Sequence, residues 1–276
     1  MAHLAEQRMP NGPRPETFVD LTRYPIEDLE TEAGRDLVAR GRRQLAEDGA
    51  CVLAGFLLPE AAARARAELA PRLGDAYYCE KSHNPYLDPD DPAFPGEHPR
   101  NLPQVSDLGA LADDQISEGT VLRSLYRWDR LRDFVAALLE VPGLYPYADP
   151  LASLNVNVFQ PGQQLGWHFD NADWAVTLML QPAEAGGVYE YLPWIRSPED
   201  ENYEAVARAL GGGRDGVRVL SQDVGALVLF RGRYSLHRVT PVVGKRPRLV
   251  AVLSYDTEPG VKLTEHNRRL FYGRIA

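Results

Sequence analysis

From Ser153 onward, apolar residues fall in short alternating runs divided by turn residues, the spacing of an antiparallel β domain rather than of helices. Eight runs are legible: Ser153 to Phe159, Gln164 to Phe169, Ala175 to Gln181, Gly187 to Leu192, Val217 to Leu220, Ala226 to Phe230, Leu236 to Val242 and Arg248 to Tyr255. Pro161-Gly162 and Gly186-Gly187 provide turns between them. Eight is the number of strands that a double-sheet jelly roll needs. One insertion interrupts the series. Ser197 reads as an N-cap and Pro198 as the first helical position of a helix running to Leu210, before Gly211-Gly212-Gly213. It is expected to cover one side of the barrel mouth.

Upstream the period lengthens. Leu29, Leu37, Val38 and Leu45 stand among many charges over residues 26 to 49, and Pro59 to Leu73 repeats the pattern with alanine-rich spacing, which predicts two amphipathic helices. Ala50 to Leu58 between them is a continuous apolar run of strand length. Tyr77 to Asn101, rich in Pro, Asp, His and aromatics, predicts a long loop of the kind that serves as a lid or binding segment. The strongest helical pattern spans Val121 to Leu139 and is stopped by Pro142-Gly143. Its Arg123, Arg127, Arg130 and Arg132 are read as a solvated face. Residues 1–20, with Met9-Pro10-Asn11-Gly12-Pro13-Arg14-Pro15, are expected to be a poorly ordered leader.

The predicted fold is therefore mainly β with helical support (α+β), built on a double-stranded β-helix of the jelly-roll, cupin-like type. Residues 21–276 are expected to form one domain, with helical support and the lid loop in 21–150. The jelly-roll core would occupy 151–276, with a helical insertion near 197–210.

Composition narrows the partners. The 276 residues are 44% hydrophobic, enough for one large domain with an ample core. A net charge of −9 argues against a nucleic-acid partner, which would demand a basic face. No run approaches the ~18 apolar residues of a membrane span, and no signal-peptide pattern is legible at the N-terminus. Cys51 and Cys79, the only cysteines, have neither metal-type nor redox-type spacing, so a protein of the reducing cytoplasm is expected. The partner expected is a small-molecule substrate. Subunit number is not legible, and a homodimer is compatible with the sequence.

The candidate chemistry lies at the ends of two predicted strands. His168 and Asp170 close the second run, and His237 opens the seventh, 69 residues after His168. Six histidines, each with about a 5% chance of Asp two places on, give about 0.3 accidental His-x-Asp pairs. The pair alone is weak, and its context carries the argument. A jelly roll places its second and seventh strands side by side, so His168 can meet His237. Two neutral imidazoles and a carboxylate would present Fe(II) with three ligands on one face, leaving positions for a bidentate 2-oxoacid and O2. A structural zinc site would be closed by four protein ligands. Arg248 opens the eighth run, which lies beside the first and points into the barrel. A cation in so apolar a strand calls for an anionic partner, and the distal carboxylate of 2-oxoglutarate has the matching length. Thr177 and Ser254 are candidates to give hydroxyls to that carboxylate. Asn171, Asp173 and Trp174, just past the triad pair, are candidates for substrate contact. His83 and His98 lack ligand spacing and are read as non-metal histidines.

The segment from Asn155 onward resembles the Fe(II)/2-oxoglutarate-dependent oxygenases, and is most similar to the branch of free-amino-acid hydroxylases and radical halogenases. The likeness is carried by Asn155-Val156-Asn157-Val158-Phe159, Gly166-Trp167-His168-Phe169-Asp170-Asn171, Ala185-Gly186-Gly187-Val188-Tyr189-Glu190-Tyr191, Leu229-Phe230-Arg231-Gly232 and His237-Arg238-Val239-Thr240-Pro241. The resemblance implies decarboxylation of 2-oxoglutarate to succinate and CO2, with O2 as co-oxidant and a hydroxyl delivered to an unactivated C–H of a small, amino-acid-like substrate. Halogenases of this branch carry a small residue at the carboxylate position, so Asp170 argues for hydroxylation.

Three other readings compete. A desaturase or cyclising oxidase would use the same iron site. A non-catalytic metal-binding cupin would have no need of Arg248. A serine or cysteine hydrolase is disfavoured because no Gly-x-Ser-x-Gly turn occurs.

Overall fold

Strand alternation sets the layering of this protein, whose computed structural model describes residues 13–276. In chain order the strands are β1 Ala50–Leu53, β2 Tyr77–His83, β3 Gln104–Leu111, β4 Tyr145–Pro146, β5 Leu154–Phe159, β6 Leu165–His168, β7 Ala175–Gln181 and β8 Ala185–Gly186. They continue with β9 Tyr189–Leu192, β10 Arg218–Leu220, β11 Leu227–Phe230, β12 Leu236–Val239, β13 Val242–Val243, β14 Arg248–Leu253 and β15 Tyr255–Asp256. The helices are α1 Glu32–Asp48, α2 Pro59–Leu69, α3 Val121–Tyr126, α4 Asp129–Leu139, α5 Tyr203–Leu210 and α6 Glu265–Tyr272.

One curled antiparallel sheet runs β1-β11-β7-β14-β5-β3-β6-β12-β9-β10, with β2 added to β3. It folds back on itself at β3, which pairs with β5 through Gly109, Ala110 and Leu111 but with β6 through Ser106 alone. Two facing layers result, as in a jelly roll. On β5, β7, β11 and β14, one set of residues (Val156, Val158, Leu178, Leu180, Leu227, Leu229, Leu249, Ala251) packs against α1 to α4 in the main core. The alternate set, including Asn155, Asn157, Phe159, Thr177, Arg248, Val250 and Val252, faces the cavity between the layers. The helices thus wall off the outer face, and the inner face is free to carry polar groups.

The predicted pairings of second with seventh and first with eighth strands are present as β6·β12 and β5·β14. Several expectations need correction. The core is not confined to residues 151–276, because β1, β2 and β3 belong to the same sheet. Residues 77–101 are not all loop: Tyr77–His83 pairs with β3 over its whole length. The rest is held by side-chain amides, with Asn84 Nδ2 donating to Asp88 O at 2.7 Å and Asn101 Nδ2 to Asp91 O at 2.8 Å. The single helix expected over 121–139 is broken at Trp128, whose extended backbone separates α3 from α4. Arg123 is not solvated. It is buried, donating to Asp113 Oδ1 at 2.6 Å and to the carbonyls of Asp113 and Ile116. The insertion helix begins at Tyr203 rather than Pro198, and Ser197 Oγ instead accepts from the amides of Glu199 and Asp200 in a turn.

That insertion does not reach the barrel mouth. Val206 and Ala209 pack with Trp167, Phe169, Leu192 and Leu236 on the outer face of the β6·β12·β9 layer. The expected leader is also shorter than 20 residues. Phe18 and Val19 are buried, and Val19 bridges Leu57; the first part of that leader, residues 1–12, lies outside the described residues. No helix among the described residues is long and apolar enough to cross a membrane, and Cys51 and Cys79 form no disulfide.

Candidate metal centre

His168 and His237 are direct cross-strand partners on β6 and β12, with ring centroids 4.0 Å apart. Their Nδ1 atoms meet backbone carbonyls, Gly166 O at 2.8 Å and Ser235 O at 2.9 Å. Each ring therefore keeps its proton on Nδ1 and turns an Nε2 lone pair inward, the arrangement that orients a metal-ligating histidine. Asp170 stands just past the end of β6, its amide donating to Gly232 O at 3.1 Å. Asp170 Oδ1 lies 3.8 Å from His168 Nε2 and 3.5 Å from His237 Nε2. The three donor atoms fall within 4.8 Å of one another, the one such group among the described residues.

The electrostatics suit a cation. Burial and the neighbouring His237 hold His168 well below the usual histidine range, so it offers a neutral lone pair. Burial opposes ionisation of Asp170, but His237, His168 and Arg233 outweigh it and keep the carboxyl below its ordinary value. Asp170 Oδ2 is buried with no hydrogen-bond partner. A buried, ionised, half-satisfied carboxylate beside two neutral imidazoles is a site that fits a divalent ion.

Gly232 makes room for that carboxylate. Its φ is not left-handed, so glycine is needed there for space: a Cβ would overlap Asp170 Oδ2. Gly232→Ala is expected to push the carboxylate aside and weaken Fe(II) binding by about 10- to 100-fold, read by competition with a chelator. Unchanged affinity would show that Asp170 is not a ligand.

A cavity of about 620 Å3 opens over the three residues. Arg248 lies in it, 3% exposed, its guanidinium donating to Gln222 Oε1 at 2.6 Å and standing 5.4 Å from the Phe159 ring. Among the described residues no carboxylate pairs with it, and burial pulls its pKa down to about 10, Tyr189 only partly opposing. Tyr189 itself stacks on His237 at 5.5 Å and lines the same cavity.

Thr177 and Ser254 do not join Arg248 as expected. Thr177 pairs with Val252, whereas Arg248 pairs with Phe159, so Thr177 lies four residues along β14, or about 13 Å. Ser254 Oγ donates its proton to Ala152 O at 2.7 Å and has none for a carboxylate. Gln222 and Tyr189, which sequence reasoning missed, are the polar neighbours of Arg248. Asn171, Asp173 and Trp174 are among the residues that line the cavity. Arg233 ties the first two in place, pairing with Asp173 and donating to Asn171 O. Among the described residues of 77–101, only Leu87 reaches the cavity. His83 has both ring nitrogens engaged, by Asn84 O and Ser106 Oγ, and His98 stacks on Phe94. Also missed was the wall built by Asp256, Lys262, Leu263, Asn267 and Phe271. Thr264 and Gly273, the caps of α6, were its legible signal.

Residues 94–269, well over half of the chain, match the profile of the family described as HalD, Halogenase D. Comparison with curated proteins finds no match. Among solved structures, a 2OG-Fe(II) oxygenase-family oxidoreductase from Burkholderia pseudomallei aligns with TM-score 0.54 and 16% identity, over 81% of this chain and 92% of its own. AviO1 from Streptomyces viridochromogenes Tue57 aligns with TM-score 0.54 and 20% identity, over 80% and 95%. The non-heme α-ketoglutarate-dependent epimerase SnoN from nogalamycin biosynthesis aligns with TM-score 0.55 and 14% identity, over 80% and 83%. The chain belongs to the HalD family, and its fold is that of the 2-oxoglutarate, iron(II) oxygenases.

Proposed function

We propose that this chain is an Fe(II)- and 2-oxoglutarate-dependent dioxygenase that hydroxylates an unactivated C–H bond of a small, amino-acid-like molecule. The observation that carries the reading is the pairing, in one cavity, of a three-donor face with a buried arginine that pairs with no carboxylate among the described residues. His168, Asp170 and His237 would hold the iron. Bound there, it supplies the activation of O2 that couples conversion of 2-oxoglutarate to succinate and CO2 with oxidation of the substrate C–H to C–OH.

The chain's own residues do the rest. Arg248 grips the distal carboxylate of the cosubstrate, and Gln222 holds the guanidinium until it arrives. Phe159, Val239 and Val250 line that part of the cavity with hydrocarbon, which excludes water and strengthens the ion pair. The HalD family name suggests halogen transfer, yet the carboxylate of Asp170 occupies the position that a halide would need, so hydroxylation is favoured. A storage cupin would have no use for the arginine clamp. The acidic chain, the disulfide-free cysteines and the small cavity agree with a small-molecule enzyme of a reducing compartment.

The test is succinate formation from 2-oxoglutarate across a panel of free amino acids and derivatives, with product mass recorded. A gain of one oxygen confirms hydroxylation, loss of two hydrogens indicates a desaturase or cyclising oxidase, and no succinate from any mixture refutes the reading.

A further inference from the structure

We propose that Asp256 and Tyr147 form the place where this cavity holds a positively charged nitrogen of its organic substrate, an ammonium or a guanidinium. The inference rests on the oxygenase reading and concerns the part of the cavity that the iron ligands and Arg248 leave free.

Strand register turns both side chains inward. On the β4·β15 ribbon Tyr255 lies opposite Pro146 and Asp256 opposite Tyr145, and the amide of Tyr147 donates to Ser254 O at 3.1 Å. Tyr255 is buried in the main core, stacked on Tyr126. Alternation then sends Ser254 and Asp256 to the other side, with Tyr147 across from Ser254, and all three line the cavity. Ser254 Oγ already donates to Ala152 O. Asp256 Oδ1 accepts from the amide of Glu258 at 3.1 Å, its one side-chain hydrogen bond among the described residues, which leaves Oδ2 free. The Tyr147 hydroxyl has no hydrogen-bond partner among the described residues. Both residues are partly exposed, and neither has a polar atom shut away from solvent without a partner.

The carboxylate on this wall lacks a counter-charge. Arg233, in the same cavity, pairs with Asp173 instead, and Lys262 lines the cavity without forming an ion pair to Asp256. The charge is felt at the phenol: burial first, then Asp256 and Asp170, push Tyr147 up to about 12, with Arg233 opposing. The hydroxyl thus stays neutral near pH 7, with its oxygen lone pairs in a negative field. A cation placed there meets a carboxylate oxygen and a phenol oxygen together and offsets the cost of an unpaired charge. A metal ion does not suit the place, because Asp256 belongs to no group of three metal-type donors among the described residues. The cation that remains is an organic one.

The experiment measures substrate-stimulated succinate formation with the common free amino acids. The most active is then compared with counterparts that lack one nitrogen cation: its α-hydroxy acid and, for lysine or arginine, 6-hydroxynorleucine or citrulline. One such replacement should lower kcat/KM by at least about 10-fold, since a site built to pair with a group rejects analogues that lack it. Asp256→Asn, whose amide oxygen can still accept from Glu258, should bring that ratio close to one, Tyr147→Phe should reduce it in part, and Asp256→Glu should keep it. Loss of all stimulation in Asp256→Asn supports the proposal where Asp256→Glu keeps the ratio, and overturns it where Asp256→Glu is silent too. No stimulation by any amino acid, counterparts as active as the parent, or an unchanged ratio in Asp256→Asn each overturns it. The absorption of wild-type protein with Fe(II) and 2-oxoglutarate separates the two claims. Its absence sinks the oxygenase reading, and its presence without a charge preference sinks only the roles of Asp256 and Tyr147.

Discussion

Asp170→Ala is expected to abolish the weak visible absorption that Fe(II) and 2-oxoglutarate give together under anaerobic conditions, and His237→Ala to do the same. Loss of a group that merely orients a ligand typically costs 10- to 100-fold in metal affinity, so removal of one of only three ligands should cost more. For Asp170 the loss is also of the one negative charge among the three donors. The fold should survive: Asp170 Oδ2 makes no hydrogen bond, and its amide, which holds the turn to Gly232 O, is unaffected by the substitution. The absorption is the decisive readout, because it requires 2-oxoglutarate on the metal and not metal alone. A full-strength band in either variant would remove that residue from the iron site.

The two histidines were legible because strand order does the work of distance. Once runs two and seven are neighbours in a jelly roll, His168 and His237 must meet, and Asp170 follows by chain connectivity. Arg248 was legible as a cation entering an apolar strand, and the eighth run beside the first aims it inward. What failed was inference from residue type without register. Thr177 and Ser254 share the cavity with Arg248, but pairing sets one four residues away and leaves the other bonded to Ala152 O. β3 was invisible because Asp107 and Gly109 interrupt its alternation. Asp107 Oδ1 accepts from Gln164 N at 2.8 Å, and Gly109 lies beneath the Tyr78 ring, which leaves no room for a Cβ. Both are tertiary reasons that no local pattern encodes. For α5, Val206 and Ala209 marked a buried side, but an amphipathic face does not state which surface it covers.

Arg248→Met should raise the 2-oxoglutarate concentration needed for half-saturation by about 100- to 1,000-fold while Fe(II) binding persists. The magnitude follows from truncating one member of a buried, hydrogen-bonded charge pair, which costs about 2–5 kcal/mol and leaves the other charge unpaired. The same residue weakens the ligand-free protein. Burial lowers its pKa from the ordinary arginine value to about 10, which corresponds to on the order of 3 kcal/mol at about 1.4 kcal/mol per unit. The group is a cation with a depressed folded pKa. The destabilisation is therefore fully present below about pH 10 and is relieved only as pH rises beyond that, so it is constant across the neutral range. A carboxylate brought to the guanidinium offsets it. Methionine keeps much of the volume without the charge, so Arg248→Met should show a higher Tm than wild type without 2-oxoglutarate and a smaller gain in Tm when it is added. Thermal melts with and without the cosubstrate read both effects. An equal 2-oxoglutarate-induced rise in variant and wild type would mean that the cosubstrate carboxylate is held elsewhere. A lowered Tm without ligand would mean that Gln222 and Tyr189 already satisfy the cation.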